Sequence, residues 1–579
     1  MNVLGINHYT DPAACLLVGG KLVACVEEER FTRLKNSHNI FPGHSVDFCL
    51  KKAGISIDEV DRIAIPYDAH YYPFEFLRKM VKEYLGLKGR SISGKNDFKK
   101  SVASILNITL THTPAAMEKA VRDGLIEHKI KGRVPKVEFV DHHFCHAITA
   151  SYYSGFDSAL VLIVDGSGES NCTTLYDFEN GSLKLLDKYE IPDSLGWFYA
   201  GITEFLGFIP YRHEGKTMGL APYGIKDDAI LEKLEKIVKY NRDRYKINPE
   251  YLLAGQHSFG MHFSDLLVDL LGSPRQPDEE LTQRHKNIAW AAQYVLEKGI
   301  KKIVNDAVKK YGKKKVCLAG GVAMNCKMNG MILYETLAED VFVFPAAGDA
   351  GSSVGAAFYA SGGKAIENRE ILKHAYYGPE YTNEQILEWL KNAKVSYAKP
   401  ASIAKETARL LAKGMLVGWF QGAMEFGARA LGNRSILANP LIANMRDQVN
   451  KNVKFRENWR PFCPSMLDEQ RAEYLQKDKS APFMIVAHLL KEKYREKLSS
   501  ICHADGSIRP QTVTKDQNTL YYELLSEFKK LTGHGILLNT SMNVKGEPMV
   551  CTPLEAVRCF YSNGLDALAI GPYLLEKNK

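Results

Sequence analysis

The sequence predicts an α/β protein of two domains, the first of which contains two related halves. The chain has 579 residues, too many for a single hydrophobic core. A buried strand, an aspartate and a β-hairpin follow one another near the N-terminus, and the same succession returns about 150 residues later, as in an internal repeat. A junction is predicted around Gly362–Asn383, and strands and helices alternate again beyond it with different motifs. We therefore predict a second α/β domain in that part of the chain.

The first copy of the repeat begins with a short apolar strand, Val3–Asn7, which is followed by Asp11. Its predicted hairpin joins Ala14–Val18 to Leu22–Val26 through the turn Gly19-Gly20. This arrangement places the aspartate directly after the first strand.

The second copy begins with the buried strand Ala159–Val164, which Asp165 ends. A hairpin of Thr173–Tyr176 and Leu183–Tyr189 follows. Asp165 would then lie at a position equivalent to Asp11. Two carboxylates facing each other across a cleft can hold Mg-ATP or a metal-bound water. The alternative interpretation of Asp165 is a plain turn.

Strand, glycine-rich turn and helix follow one another twice in the middle of the chain. Val316–Ala319 leads into two glycines, and Val341–Phe344 leads into the segment PAAGDAGSS. Small residues let backbone N–H groups reach an anion at a helix N-terminus. We therefore predict a phosphate-binding loop at Gly320 and Gly321. We predict a second one at Gly166 and Gly168, which follow the strand that ends at Asp165.

Charge and cysteine content exclude several classes of protein. The net charge of +8 is mild for this length, and the basic runs at residues 88–100 and 309–315 lack the interleaved aromatics of a nucleic-acid surface. The eleven cysteines contain no CxxC pair, which disfavours a disulfide framework and zinc ribbons. Since no signal peptide and no transmembrane stretch is visible, we predict a cytoplasmic protein without nucleic-acid or membrane partners.

A candidate metal site lies in the segment DHHFCHA, residues 141–147. His142 and His146 are four residues apart, so on a helix they share a face and both can reach one metal ion. Asp349, in the second glycine-rich turn, is the best candidate for a third ligand. The alternative is a capped helix that carries two core histidines.

The last third of the chain places arginine and lysine among glycine, proline and asparagine. The segments are FGARALGNRS, KFRENWRPF, RPQ and LNTSMN. Cationic side chains beside a hydroxyl-bearing loop suit the recognition of phosphate or carboxylate.

Ten segments of the chain, in order, resemble the O-carbamoyltransferases of the NodU and CmcH type, over nearly the whole length. They are GINHYTDPAACLL, VEEERFTRLKN, DHHFCHA, VDGSGE, HEGKTMGLAPYG, LAGGVAMNCKMNG, FPAAGDAGSSVGAA, FGARALGNRS, KFRENWRPFCPS and LNTSMNVKGEP. The segments KTMGLAPYG and GARALGNRS are rarely found outside this family.

The resemblance implies an actin-like ATPase (ASKHA) fold for residues 1–372 and a smaller YrdC-like fold for residues 373–579. It also implies that carbamoyl phosphate and ATP with Mg2+ give carbamoyl-adenylate in the second domain. The first domain then transfers the carbamoyl group to a hydroxyl of a small-molecule acceptor, a natural product or a sugar.

The resemblance and the patterns described above together assign roles to individual residues. His142, His146 and Asp349 match the metal ligands, and the metal in the family is iron(II), with Mn2+, Zn2+ and Mg2+ as alternatives here. The residues expected to bind substrate or nucleotide are Lys35, Arg429, Lys454, Arg460, Arg509, Asn539 and Ser541. The candidate catalytic residues are His8, Asp11, Asp165 and Lys216.

One departure from the family pattern concerns the general base. The family often has His-Asp where this chain has Thr10-Asp11. His8 lies two residues upstream, and in an extended strand residues two apart face the same side, so His8 is the candidate replacement. A packed, structural histidine is the alternative interpretation.

Other functions stay open at this stage. A tRNA threonylcarbamoyl transferase shares the fold, and a degenerate homologue would bind nucleotide and metal without turnover. The sequence does not identify the acceptor, for which the loop Tyr71–Asn107 is the candidate specificity segment, and it leaves the oligomeric state open, with a homodimer as one option.

Overall fold

The computed structural model describes residues 1–78, 103, 106–241, 244–252, 262–362, 371–457, 459–460 and 462–577. They form two compact units. Unit 1 contains Met1–His8, Ala14–Leu22 and Phe41–Ile371, and unit 2 contains Tyr9–Ala13, Val23–Ile40 and Leu372–Lys579. Two N-terminal segments are therefore grouped with the C-terminal part of the chain, which a single boundary after residue 372 does not anticipate. The basic run at 88–100 and most of the candidate acceptor loop Tyr71–Asn107 (residues 79–102 and 104–105) lie outside the described residues.

The strands of the N-terminal part are short and mostly buried. They are β1 Asn2–Asn7, β2 Ala13–Val18, β3 Lys21–Glu27, β4 Arg62–Ile65, β5 Lys136–Phe139, β6 Ser158–Gly168, β7 Asn171–Glu179, β8 Ser182–Glu190, β9 Val238–Tyr240, β10 Tyr245–Ile247, β11 Lys315–Ala319 and β12 Asp340–Val343.

Helices surround these strands. The α-helices are Glu29–Thr32, Gly43–Ala53, Pro114–Glu127, His142–Tyr152, Leu195–Phe205, Glu214–Leu220, Asp228–Ile237, Asp265–Leu271, Gln283–Tyr311, Cys326–Glu335 and Asp349–Ala360. Single turns of 3-10 or π-helix occur at Ile57–Glu59, Tyr72–Phe76, Ala221–Tyr223 and Gly321–Met324.

Two five-stranded sheets repeat the same topology. One has the order β3-β2-β1-β4-β5, and the other has the order β8-β7-β6-β11-β12. In each, three consecutive strands lie side by side, and two strands that follow helices extend the sheet in parallel, as β4 pairs with β1 and β11 with β6. This repeated order confirms the predicted duplication and the α/β class.

The second copy differs from its prediction at Asp165. The strand continues through Asp165 to Gly168 instead of ending at the aspartate, and its register with β7 shifts between Val164 and Gly168. This irregularity extends the strand beyond the apolar run, so the hydrophobic pattern alone gave too short an element.

Unit 2 contains a seven-stranded mixed sheet with the order β18-β15-β19-β14-β13-β20-β21. Its strands are β13 Val417–Phe420, β14 Arg434–Ala438, β15 Cys463–Leu467, β18 Gln511–Val513, β19 Ile536–Ser541, β20 Ala567–Ile570 and β21 Tyr573–Glu576, and a small separate hairpin is formed by β16 His488–Leu489 and β17 Ser507–Ile508. The sheet is the second α/β domain that the sequence predicted, the one to which the resemblance gives a YrdC-like fold.

Helices cover both faces of this sheet, where two apolar clusters are buried. The α-helices are Asn383–Asn392, Ile403–Ala412, Met445–Val449, Arg471–Tyr474, Thr519–Thr532 and Pro553–Tyr561, with shorter helical turns at Asn450–Lys454, Asp468–Gln470 and Glu492–Tyr494.

Hydrogen bonds explain why the N-terminal segment 23–40 belongs to unit 2. The buried guanidinium of Arg30 donates to Glu27 and to the carbonyl of Gly427, and the Gly427 N–H donates to Glu27 Oε1 at 2.8 Å. Arg33 donates to the carbonyls of Pro548 and Met549. Part of the motif VEEERFTRLKN therefore stabilises the C-terminal domain.

All eleven cysteines lie in the described residues, are buried and form no disulfide. Within the described part of the chain, every helix is too short or too polar to span a bilayer.

Candidate active site

The two histidines of the predicted metal site lie at the start of the helix His142–Tyr152. Asp141 caps this helix, since its side chain accepts the N–H of Phe144 at 2.7 Å. One helical turn separates His142 from His146, which brings their Nε2 atoms to 3.2 Å. Both side chains are buried, 1% exposed each.

Two carboxylates complete the cluster in unit 1. Asp165 Oδ2 lies 3.2 Å from His142 Nε2 and 3.4 Å from His146 Nε2. Asp349 Oδ1 lies 3.6 Å and 3.8 Å from the same two nitrogens. The four ligand atoms lie within 4.8 Å of one another, a set of two imidazoles and two carboxylates that can hold a divalent metal.

A backbone carbonyl orients the first histidine. His142 Nδ1 lies 3.0 Å from the carbonyl oxygen of Pro66. Because a carbonyl only accepts, Nδ1 carries the proton and Nε2 is left to face the carboxylates. This is the arrangement in which a histidine offers its second nitrogen to a metal.

The electrostatics of the cluster also suit a cation. Burial disfavours the charged forms, but the hydrogen bonds and charges between the groups prevail, so the pKa of His142 is raised and the pKa of Asp165 is lowered. Asp349 has a lowered pKa for the same reason. Both carboxylates are therefore anionic near neutral pH, which is the form that binds a metal.

Close helix packing fixes Asp349, the first residue of the helix Asp349–Ala360, against the histidine helix. A Cβ atom on Gly355 would lie 2.0 Å from the carbonyl oxygen of Cys145 and 2.7 Å from Thr149 Oγ1. Only glycine allows this approach, so the second glycine of the segment GSSVGAA is required for the two helices to pack together.

We expect Gly355→Ala to lower the free energy of unfolding by about 1–3 kcal/mol, because backbone atoms would have to separate. The metal affinity should fall as well, since Asp349 would move away from the histidines. Denaturant unfolding and metal titration measure the two effects. Gly215→Ala is the matched control, since Gly215 is helical with no atom near a Cβ. Equal behaviour of the two variants would contradict this account.

Two of the predicted phosphate-loop glycines hold a carboxylate of the chain itself. The N–H groups of Gly166 and Gly321 donate to Asp165 Oδ1 at 2.7 and 3.1 Å. The Gly320 N–H donates to the Ala347 carbonyl. These donors fix Asp165 in place, and a phosphate-binding role for the glycines, Gly168 included, stays a prediction.

The other predicted catalytic residues of unit 1 are His8 and Lys216. Burial, with a contribution from His112, lowers the pKa of His8 to about 3, so His8 is neutral at physiological pH but a weak proton acceptor. Lys216 lies on the helix Glu214–Leu220 with its Nζ 5.5 Å from the centre of the Phe208 ring.

Asp11 belongs to unit 2, where its Oδ1 accepts a hydrogen bond from Asn36 Nδ2 at 2.8 Å. Its backbone has a φ of 49°, in the left-handed region. The predicted pairing of Asp11 with Asp165 stays a prediction.

Unit 2 contains a second cluster, centred on the buried Lys454. Its Nζ donates to Asn543 Oδ1 at 2.6 Å, to the Ser541 carbonyl and, at 3.4 Å, to Ser541 Oγ. The ammonium group thereby binds the loop LNTSMN. The motifs KFRENWRPFCPS and LNTSMNVKGEP therefore contact each other through Lys454 and Ser541, which are 87 residues apart in the sequence.

Several cations crowd around Lys454. Burial, followed by the charges of Arg456, Arg460 and Lys35, holds the pKa of Lys454 well below its usual value. Burial and the charges of Arg460 and Arg509 lower the pKa of Arg456 to about 9. The charges of these cations act on one another, so an anion bound among them would be stabilised.

The remaining predicted binding residues have different surroundings. Arg509 donates to Cys463 Sγ from Nε at 3.0 Å and from Nη2 at 2.8 Å. Asn539 is 1% exposed within strand β19, and its amide donates to Ser465 Oγ at 2.9 Å. This position makes Asn539 part of the sheet's internal polar network, and its binding role stays a prediction, as does that of the partly buried Arg429.

Arg434, which follows in the same motif, supports the fold. It is fully buried, its guanidinium lies 3.8 Å from the centre of the Phe420 ring, and it donates to the carbonyls of Gln421 and Pro379. These contacts explain part of the motif FGARALGNRS without a ligand.

Sequence reasoning assigned no individual role to three groups that the structure brings to the two clusters. Arg456 and Asn543 lie in two of the motifs quoted above, and their closeness in sequence to Lys454 and Ser541 could have indicated them. Tyr67, whose hydroxyl lies 3.4 Å from Asp349 Oδ2, stands in no motif, and its position depends on a contact 282 residues away.

Comparison with known proteins identifies the family. The chain matches the family model described as carbamoyltransferase N-terminus over residues 2–358 and the one described as carbamoyltransferase C-terminus over residues 408–577. The chain belongs to the carbamoyltransferase family. The predicted resemblance and the prediction of an enzyme of this class are confirmed.

Relatives of this carbamoyltransferase cover most of its length. An uncharacterized protein of Synechocystis sp. is 37% identical over 100% of this chain and 97% of that protein. Nodulation protein NolNO of Sinorhizobium fredii is 34% identical over 98% of this chain and 79% of that protein. Nodulation protein NolO of Bradyrhizobium diazoefficiens is 36% identical over 76% and 79%.

Proposed function

We propose that this carbamoyltransferase activates carbamoyl phosphate with ATP and transfers the carbamoyl group to a hydroxyl of a small molecule, a natural product or a sugar. The observation that carries the proposal is the crowding of Lys454, Arg456 and Arg460 in unit 2, where burial and neighbouring cations lower each pKa. A triphosphate or an acyl phosphate would supply the negative charge that these side chains lack.

The proposed reaction has two parts. Carbamoyl phosphate loses phosphate to water, and the resulting carbamate oxygen attacks the α-phosphorus of ATP, which releases pyrophosphate and gives carbamoyl-adenylate. The acceptor hydroxyl then attacks the carbamoyl carbon, loses its proton and displaces AMP. Cations at Lys454 and Arg460 would stabilise the charge on the leaving phosphates, as in other phosphoryl-transfer sites.

His142, His146, Asp165 and Asp349 would hold the metal of the transfer site, and the resemblance favours iron(II). The donors fit: two carboxylates with lowered pKa and a histidine whose Nδ1 proton is held by a carbonyl. A bound divalent metal polarises a carbonyl oxygen and neutralises phosphate charge. Asp165 was predicted as a catalytic residue, and its distances of 3.2 and 3.4 Å from the histidines support a ligand role.

The test is pyrophosphate release from ATP and carbamoyl phosphate without an acceptor. We expect wild type to release pyrophosphate only when carbamoyl phosphate is present, and Arg460→Ala to lose about 100-fold or more of the rate, because a charge that stabilises the leaving group is gone. Arg409→Ala is the control, since Arg409 is an exposed residue of unit 2 that pairs with Glu406.

The outcomes separate the candidate functions. Loss of the rate in Arg460→Ala with a normal Arg409→Ala supports adenylation in unit 2. Failure of the folded, metal-loaded wild type to release pyrophosphate would instead favour a homologue that binds nucleotide and metal without turnover.

A further inference from the structure

The three residues that follow strand β4, Pro66 to Asp68, contact two of the candidate metal ligands and the neighbouring Glu169. The Pro66 carbonyl accepts from His142 Nδ1 at 3.0 Å. Tyr67 contacts His142 and Asp349, and the Asp68 N–H donates to Glu169 Oε1 at 2.7 Å. A single short segment therefore faces ligands that come from two different helices.

Tyr67 makes the most specific of these contacts. Its ring stacks on the His142 imidazole, with ring centres 4.8 Å apart and an angle of 18° between the planes. Its hydroxyl donates to Asp349 Oδ2 at 3.4 Å, whereas Asp349 Oδ1 is the oxygen that faces the histidines. The phenol thereby leaves one carboxylate oxygen to the metal and holds the other.

Glu169 anchors this segment to the histidine helix. Its Oε1 accepts the Asp68 N–H, and its Oε2 accepts the N–H of His142 at 3.3 Å. The side chain is buried, 7% exposed, so the bridge is protected from water. One carboxylate thus fixes the distance between the Tyr67 segment and the first metal ligand.

We propose that Tyr67, anchored through Glu169, is a positioning residue that sets the orientation of His142 and Asp349 for metal binding. The stacked ring prevents rotation of the imidazole, and the hydroxyl prevents Asp349 from turning its second oxygen inward. Groups that orient ligands in this way commonly change metal affinity when they are removed. The inference rests on the metal centre of the proposed function.

The test is Co2+ binding to the full-length protein, followed by visible absorption. Tyr67→Phe keeps the ring and removes the hydroxyl, and we expect its Co2+ affinity to fall about 10-fold, with an altered cobalt spectrum. Tyr67→Leu also removes the stacking, and its loss should be greater. Tyr152→Phe is the matched control, because Tyr152 lies on the same histidine helix and donates to the Gly181 carbonyl, away from the ligands.

Each outcome decides the inference. A weaker Co2+ affinity in Tyr67→Phe, with a normal affinity in Tyr152→Phe, supports the inference. Equal affinities in the two variants overturn the inference, but the proposed function stands as long as the wild type binds the metal. Absence of Co2+ binding in wild type would overturn the metal centre and this inference together. If Tyr67→Phe does not fold, Glu169→Gln replaces it, because a glutamine has one oxygen and cannot accept the two N–H groups as Glu169 does, one at each oxygen. An unchanged Co2+ affinity in Glu169→Gln overturns the inference.

Discussion

Replacing His146 with alanine should remove metal from the protein and abolish carbamoyl transfer while leaving pyrophosphate release intact. His146 Nε2 is one of four ligand atoms in the buried cluster of unit 1, and its loss leaves one imidazole for the metal. We expect the transfer rate to fall by about 1,000-fold or more, as when a charge-stabilising group is lost from an active site. The cations proposed to support adenylation lie in unit 2, so the first half-reaction should keep its rate.

The chain offers a closely matched control for this prediction. His143 lies on the same helix and is equally buried, but its Nδ1 contacts Thr174 Oγ1 at 2.9 Å, and burial lowers its pKa to about 3. His143→Ala therefore loses a neutral buried side chain whose ring centre lies 6.1 Å from that of His142, but it removes none of the four ligand atoms of the cluster. Metal content, pyrophosphate release and radiolabelled carbamoyl incorporation into the acceptor that the wild type modifies give the three measurements. Normal metal content in His146→Ala would contradict the site.

The sequence could predict the histidine pair because its signal is local. His142 and His146 follow a strand and an N-terminal cap, and the spacing of four residues decides on its own which face they share. The duplication was equally visible, since each copy of the hairpin is continuous in the chain. Features fixed by neighbouring residues were therefore predicted well.

Features that depend on distant contacts were not predictable. Tyr67 reaches Asp349 across 282 residues, and Glu27 accepts the Gly427 N–H across 400. The hydrophobic pattern predicts that the strand ends at Asp165, but the strand continues to Gly168 with a shift in its pairing to β7, and Asp165 lies beside the histidines. Asn539 lies in a polar motif, yet its burial within β19 depends on the neighbouring strands.

We expect ATP binding to depend on pH through Lys454, because a buried ammonium group among other cations loses its proton more readily than an ordinary lysine. Its pKa is held well below 10.5 by burial and by Arg456, Arg460 and Lys35. Raising the pH through this lowered pKa removes the charge, so ATP affinity should fall at a lower pH than for an ordinary lysine. Bound phosphate favours the charged form, so binding should take up protons over the same range.

Replacing Lys454 with methionine should weaken ATP binding by about 10-fold to 100-fold, the range for a charge-assisted hydrogen bond, at a pH where bound ATP keeps the ammonium protonated. The variant should also lose part of the pH dependence, and Arg456, whose pKa is about 9, should supply the remainder. Calorimetry between pH 7 and pH 10 measures both effects, with Lys405→Met as the control because Lys405 is exposed on the helix Ile403–Ala412. If Lys454→Met binds ATP like wild type, the ammonium serves only to hold the loop at Ser541 and Asn543, and the anion site must be built from the arginines alone.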